Sequence, residues 1–534
     1  MTPPEMDPRL LMVQGTTSDA GKSAFITALC RLLARQGYRV APYKSQNMAL
    51  NSAVSVEGGE IGRAQAVQAE ACGLPPSIRF NPILLKPTGE RCSQVIVNGR
   101  SIGHMSAREY HALKPQLRQQ VVNGVKQLAD EMQFVMIEGA GSPAEINLRQ
   151  HDLVNMGLAL PTRAPVIIIA DIDRGGVFAH LVGTLALLSD EERQQVIGLV
   201  INRFRGDPAL LQPGVEWLEH RTGLPVLAVV PWIDRLYLDA EDSVSNPSSS
   251  KAPSTTEADL IRVTVIQLPS ISNQTDIDAL RLHPHVSLTL AHTPEDAGPS
   301  DICILPGSKR TLDDLAWLRQ QGWAEWLTRH LRYGGKVMGI CGGYQMLGTW
   351  LEDPHDYDTP RNSPSPPAAR TAGLGWLGHT TRYTRHKVLR QSVCTGSFDG
   401  APLTLSGYEI HMGVSTPPDL QRGEQPFAYY NDDARTPEGC RSADGQIIGT
   451  YLHGLFDTPE ALESVLRWAA SQTSPRLRDS FDMKHYRLQE MDRLADGVAG
   501  AIRLARWPEG PLKEALHNAI SASTHPCNGE EITH

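Results

Sequence analysis

The 534-residue sequence has no C-x-x-C pair. Its eight cysteines, Cys30, Cys72, Cys92, Cys303, Cys341, Cys394, Cys440 and Cys527, are scattered along the chain. That spacing disfavours both a disulfide framework and a zinc site and fits a reducing compartment. Positive charge is not in surplus either: 50 Lys and Arg stand against 59 Asp and Glu, a formal net charge of -9. Without a broad basic field, no nucleic acid or anionic membrane is expected as a partner, and an anionic substrate must be held by local cations. No apolar run approaches the roughly 20 residues that cross a bilayer. The longest, such as Ala164–Ala170, have the length of a strand. The opening residues, MTPPEMDPRL, lack the basic stretch and apolar core of a signal peptide. The expected location is the cytoplasm. No internal repeat is visible, and nothing in the sequence fixes an oligomeric state.

What the chain does contain is an alternation of short apolar strands with amphipathic helical stretches. This is the pattern of an α/β protein with mainly parallel, doubly wound sheets. Strands are expected at Leu10–Gln14, Tyr38–Tyr43, Phe134–Ile137, Pro165–Ala170, Val196–Ile201 and Pro225–Val230. Between the first two, Ile26, Leu29, Leu32 and Leu33 recur at helical spacing, and Gly37 sits where that helix should stop. The segment 241–259 is dominated by Ser, Pro and Thr and reads as a linker. The α/β pattern restarts at Ile261–Leu268 and continues with strands at Ile302–Leu305 and Lys336–Ile340. A Pro-rich stretch, His355–Arg370, reads as an exposed loop, and the tail beyond about Ala522 as disordered. At ~100–200 residues per domain, the length calls for more than one core. The expected division is a P-loop domain over 8–240, the linker, a second α/β domain over 260–470, and a helical extension and tail over 471–534.

Gly15-Thr16-Thr17-Ser18-Asp19-Ala20-Gly21-Lys22-Ser23 follows a strand and opens a helix, the setting a phosphate-binding loop requires. Backbone N–H groups of the loop and the helix N-terminus favour anionic oxygens. Gly15, Thr17 and Gly21 shape the loop, Lys22 is expected to reach the outer phosphates of ATP, and Ser23 to hold Mg²⁺ through its hydroxyl. Five residues, not four, separate the two glycines. This longer spacing resembles dethiobiotin synthetase and its relatives, which phosphorylate a carboxylate or carbamate. Three further positions fit that resemblance: Lys44 as a phosphate contact, Glu138 as a carboxylate for Mg²⁺, and Asn202 as a reader of adenine.

Lys336–Gly348 reads as strand, sharp turn and helix, with Cys341 on the turn between small residues. The geometry is that of a nucleophile elbow, and the helix N-terminus favours a thiolate there. The N–H of Gly342 is placed to serve an oxyanion hole, with Gly307 of the turn Leu305-Pro306-Gly307-Ser308 as the second donor. His453, in Gly449-Thr450-Tyr451-Leu452-His453-Gly454, is the candidate base. These pieces resemble the class I glutamine amidotransferase domain, in which a Cys–His pair releases ammonia from glutamine. Most such domains carry Glu two residues after the His; here that position is Leu455. The expectation is therefore a dyad whose third member is absent or supplied from elsewhere.

Longer blocks carry a more specific resemblance. KSQNMALNS (44–52), EIGRAQAVQAE (60–70), NPILLKP (81–87), EGAGSPAEINL (138–148), DIDRGGVF (171–178), NRFRGD (202–207), LPGSK (305–309) and GYEIHMG (407–413) resemble the cobyric acid synthase family. The resemblance implies stepwise amidation of the b, d, e and g carboxylates of adenosylcobyrinic acid a,c-diamide, with ATP and glutamine consumed at each step and Mg²⁺ required. Arg63, Lys86 and Arg174 lie in these blocks and are candidates to hold the corrinoid carboxylates, or else solvated surface cations. Glu409 and His411 are left between a glutamine contact, a corrin contact and a support for His453. Two alternatives remain beside this reading: cobyrinic acid a,c-diamide synthase, and a P-loop switch ATPase of the MinD/ParA kind. The second would carry an extra lysine between Gly15 and Gly21, and none is present.

Overall fold

Apolar runs that continue without alternation are the mark of strands buried on both faces, and six of them form one sheet. The computed structural model describes residues 5–89, 92–239, 260–355, 357–358, 370–398, 400–470 and 480–524. It divides into two units, Met1–Asp242 with Arg487–His534, and Ser243–Tyr486. The linker 241–259, most of the Pro-rich loop and the tail beyond Thr524 lie outside the described residues.

In the first unit the sheet runs, edge to edge, Val226–Pro231, Val196–Phe204, Val166–Asp171, Leu10–Gly15, Phe134–Glu138, Val40–Tyr43. Every neighbouring pair is parallel. Leu10 and Met12 join one buried layer and Leu11 and Val13 the other, so each strand feeds a core on both faces. The helix Lys22–Arg35 presents Ile26, Leu29 and Leu33 to the second layer and Leu32 to a small cluster with Ala495, Ala499 and Ala519, all four buried. The second layer also takes Met491, Leu494, Val498, Trp507 and Leu516 from the end of the chain, on the helices Met483–Ala501 and Pro511–Thr524 and the turn between them. The sequence offers an extension over 471–534 but no sign of a place beside the loop-bearing helix. A small sheet of Gln46–Met48, Ile83–Gly89, Cys92–Val97 and Arg100–Ser106, unforeseen in the sequence, covers part of the first unit.

The second unit is built on a sheet in the order Val286–Ala291, Ile261–Ile266, Ile302–Leu305, Lys336–Ile340, Ile447–Thr450, Cys440–Arg441. All its pairs are parallel except the last. A long antiparallel hairpin, Thr380–Gly396 with Leu403–Ser415, belongs to a second sheet. The architecture is thus α/β with parallel sheets dominant in both units, as expected, and the hairpin is the addition.

Candidate active centres

In the first unit, the loop after Leu10–Gly15 turns into its helix at Gly21, whose φ of 96° is a left-handed conformation that a side chain resists. Nor is there room for one: a Cβ would collide with the amide of Asn202, which donates to Ala20 O at 2.9 Å. Asn202 is therefore packed against the loop from the end of Val196–Phe204. Lys22 is buried and its Nζ donates to Thr17 O (2.8 Å), Ser18 O (2.9 Å) and Gly141 O (3.2 Å). It thereby ties the loop to the segment after Glu138. Gly15 leaves space for this arrangement, since a Cβ there would lie 2.8 Å from Lys22 Nζ.

Glu138 ends the neighbouring strand and is 1% exposed. Its carboxylate accepts from Ser23 Oγ at 2.8 Å, Lys44 Nζ at 2.9 Å and Gln68 Nε2 at 2.5 Å. Burial acts to raise its pKa, but the Lys44 charge and the three donors prevail and hold it below the usual carboxylate range. Ser23 and Glu138 thus meet as adjacent hard-oxygen donors. That set suits Mg²⁺, which takes one or two protein oxygens and completes its shell with phosphates and water. Among the described residues no group of three or more His, Cys, Asp or Glu makes a metal site of its own. Gln68, which also holds Glu138, was not singled out by its sequence context.

The three cations proposed for carboxylates fare differently. Arg63 Nε pairs with Asp239 at 3.0 Å and Lys86 with Glu60, each with little side-chain exposure. Neither is a solvated surface cation. Arg174, 60% exposed, pairs with Asp19 of the phosphate-loop segment at 3.0 Å.

In the second unit, Cys341 stands between Lys336–Ile340 and the helix Gly342–Leu347 with φ 51° and ψ -105°. For a non-glycine residue this is a strained elbow, a cost of order 1–3 kcal/mol that surrounding packing must hold. The packing is visible: a Cβ on Gly343 would collide with the Leu305 carbonyl, and one on Gly342 would lie 2.8 Å from Ser308 N. The elbow therefore seats directly on the Leu305–Ser308 turn. Gly307 of that turn faces His453, since a Cβ there would come 3.4 Å from the imidazole Cε1. Cys341, Gly342, Gly307 and His453 are brought together at the C-terminal edge of the sheet.

His453 is oriented by a residue that the sequence did not disclose. Its Nδ1 lies 2.6 Å from Asp276 Oδ2, and Asp276 Oδ1 accepts the Gly454 N–H at 2.9 Å. Leu455, at the position of the usual Glu, is simply buried. Burial of the imidazole opposes its charge, but Asp276, with a further contribution from Cys341, raises the His453 pKa to about 10. Tyr408 stacks on the imidazole at 5.3 Å. Glu409 and His411 are both held by neighbouring side chains, and their Oε2 and Nε2 atoms lie 3.3 Å apart. Glu409 accepts from Arg390 Nε (2.9 Å), Ser392 Oγ (2.5 Å) and Tyr430 OH (3.1 Å). His411 stacks on Tyr451 at 3.8 Å.

Comparison with known proteins accords with both centres. Residues 262–461 match the family model described as CobB/CobQ-like glutamine amidotransferase domain. Residues 11–244 match the one described as CobQ/CobB/MinD/ParA nucleotide binding domain. The chain joins a nucleotide-binding domain of this group to a glutamine amidotransferase domain. That combination is consistent with the CobQ/CobB family. Two solved structures are similar in part. One is a glutamine amidotransferase, 16% identical over 39% of this chain and 98% of that one, with a TM-score of 0.28. The other is PurLQS from Thermotoga maritima, 14% identical over 40% of this chain and 100% of that one, with a TM-score of 0.31. At these scores the likeness carries no argument. No helix among the described residues is long and apolar enough to cross a membrane.

Proposed function

We propose that the chain amidates the b, d, e and g carboxylates of adenosylcobyrinic acid a,c-diamide with ATP and glutamine, giving adenosylcobyric acid. The observation that carries the chemistry is the presence of two separate centres in one chain: Ser23, Lys44 and Glu138 around a phosphate-binding loop, and Cys341, His453 and Asp276 at a nucleophile elbow. The corrin as substrate rests on the sequence blocks, supported by the CobB/CobQ-like domains.

A carboxylate does not react with ammonia directly because its leaving group is too poor. Attack of a substrate carboxylate oxygen on the γ-phosphorus of ATP forms an acyl phosphate and releases ADP. Lys22 and Lys44 neutralise the charge that spreads over the transferring oxygens. Mg²⁺, held by Ser23 and Glu138, would supply further charge neutralisation on the phosphates. In the second unit the sulfur of Cys341 attacks the glutamine side-chain carbonyl. The N–H groups of Gly307 and Gly342 receive the oxyanion, and His453 gives its proton to the departing ammonia. Water then releases glutamate from the thioester. Ammonia attacks the acyl phosphate carbon, and phosphate leaves. His453, held charged by Asp276, is suited to the proton-donating half of this cycle.

Mass spectrometry of the corrinoid incubated with ATP, Mg²⁺ and glutamine tests the reading. Four successive amidations are expected. None would overturn it, and amidation restricted to the a and c positions of a less amidated corrinoid would favour a,c-diamide synthase. Cys341→Ala is expected to abolish glutamine-dependent product while ammonium salts still support synthesis. Loss of both would argue against separable half-reactions.

A further inference from the structure

Both partners of the proposed glutaminase dyad depend on one strand end. Thr450 O accepts the Cys341 N–H at 2.8 Å, and His453 follows three residues later. That strand end is itself gripped from a separate strand, Pro437–Glu438, by the side chain of Glu438, which is 1% exposed. Glu438 Oε1 accepts the Tyr451 N–H at 2.7 Å, and its two oxygens lie 2.9 and 3.0 Å from Thr450 Oγ1. The Thr450 hydroxyl in turn accepts the Leu452 N–H at 3.0 Å. Thr450, Tyr451 and Leu452 are thus fixed one after another up to His453. We propose that Glu438 is a positioning residue of the glutaminase centre, its carboxyl clasping Thr450 and Tyr451 so that this strand end sets Cys341 and His453 against each other.

The two donors of the clasp, the Tyr451 N–H and the Thr450 hydroxyl, bond a carboxylate more strongly than a neutral carboxyl, so it is the surroundings that keep Glu438 neutral. Burial, reinforced by the nearby Glu409, pushes the Glu438 pKa up to about 8 against the opposing pull of Tyr451 N–H, the Thr450 hydroxyl and Arg390. Glu409, Arg390, Cys394, Tyr430 and Tyr344, which act on it or on which it acts, are fixed across the neutral range. Glu409, on the hairpin, is held down to about 2 by His411, Ser392 and Arg390 despite its burial. Arg390 is raised, mainly by its bond to Glu409 against the cost of burial, and stays charged. Cys394 is pushed up to about 12 by burial, and burial also drives Tyr430 and Tyr344 well above their ordinary values. Glu438 is therefore the member of this cluster that changes charge between pH 7 and 9. Its ionisation puts a second carboxylate opposite Glu409 and disturbs the strand end. His453, with its pKa about 10, titrates higher and gives a separate limb.

The inference rests on the glutaminase reading of Cys341 and His453, and the test separates the two. Glutamate release is measured from pH 6 to 10 in the full chain with ATP and corrinoid present, for wild type, Glu438→Ala and Glu438→Gln. Wild-type kcat is expected to fall through a limb near pH 8. Glu438→Ala should lose ten- to a hundredfold in kcat at pH 7 with KM for glutamine changed less than threefold. Glu438→Gln, uncharged at any pH, should recover at least tenfold over Glu438→Ala and lack the limb near pH 8. A Glu438→Ala variant as active as wild type, or a Glu438→Gln variant that keeps the same limb, overturns the positioning role. Should Glu438→Ala fail to fold, the profile of Glu438→Gln decides alone. A wild-type chain that releases no glutamate overturns the glutaminase reading and the positioning role with it.

Discussion

His453 and Asp276 are 177 positions apart, and their pairing assigns the imidazole a single orientation. With Asp276 on Nδ1, the fully buried Nε2 is the nitrogen left for the reacting atoms, and it has no hydrogen-bond partner among the described residues. Asp276→Asn keeps the shape but removes the charge that holds the imidazolium and can select the wrong tautomer. Glutaminase kcat is expected to fall roughly 10- to 100-fold, a large part of what general acid–base catalysis contributes. Ammonia-dependent synthesis should be unchanged, and measuring both rates checks this. The same pair has a stability signature. The folded pKa of His453, about 10, lies above its ordinary 6.5. Its contribution is therefore fully present below pH 6.5 and is lost as pH rises towards 10. Denaturant unfolding of the second unit should show this decline in wild type and a flatter profile in Asp276→Asn.

Among the elements, the helices at the end of the chain have an unexpected address. Asp492 takes both Arg31 (2.7 Å) and Arg35 (3.3 Å) of the helix that carries Lys22 and Ser23. Trp507 is buried in the same layer as Leu29 and Val13, and its indole N–H donates to Leu227 O at 3.3 Å. Removing so large a buried ring costs about 3–5 kcal/mol. Trp507→Ala should lower the melting temperature of the first unit and weaken ATP-dependent synthesis from either nitrogen source, while glutamate release at Cys341 persists. Equal loss of both activities would contradict the assignment of these helices to the first unit alone.

The same elements explain what could be read beforehand. The loop at Gly15–Ser23 and the elbow at Cys341 are local: a strand, a turn of small residues and a helix lie within about a dozen positions, so their pattern survives in the sequence. The burial of Ile26, Leu29, Leu32 and Leu33 follows from 3.6-residue spacing alone. Asp276 and Glu438 act on His453 from segments whose own neighbours look ordinary, and no periodicity links them to it. Arg390 and Glu409 pair across a hairpin whose first strand alternates poorly between buried and exposed positions, so neither the hairpin nor the ion pair was legible. The place of Trp507 depends on a return of the chain across more than 240 intervening residues.

For the molecule as a whole, the division into two units raises the question of how the product of one centre becomes the reactant of the other. Ammonia released into water near neutral pH is protonated and ceases to be a nucleophile. Synthesis from glutamine is therefore expected to depend on both centres residing in the same chain. Two single-site variants separate the possibilities. On the proposed function, Cys341→Ala is expected to retain acyl phosphate formation but make no ammonia, and Lys22→Ala to make ammonia but no acyl phosphate. Each should be inactive with glutamine alone. A mixture of the two should stay below roughly a tenth of the wild-type rate, because transfer within one chain enjoys an effective concentration that free ammonia does not reach. A mixture that regains most of the wild-type rate at low total ammonium would mean that ammonia travels through bulk solvent. The two halves would then be coupled only by sharing a chain.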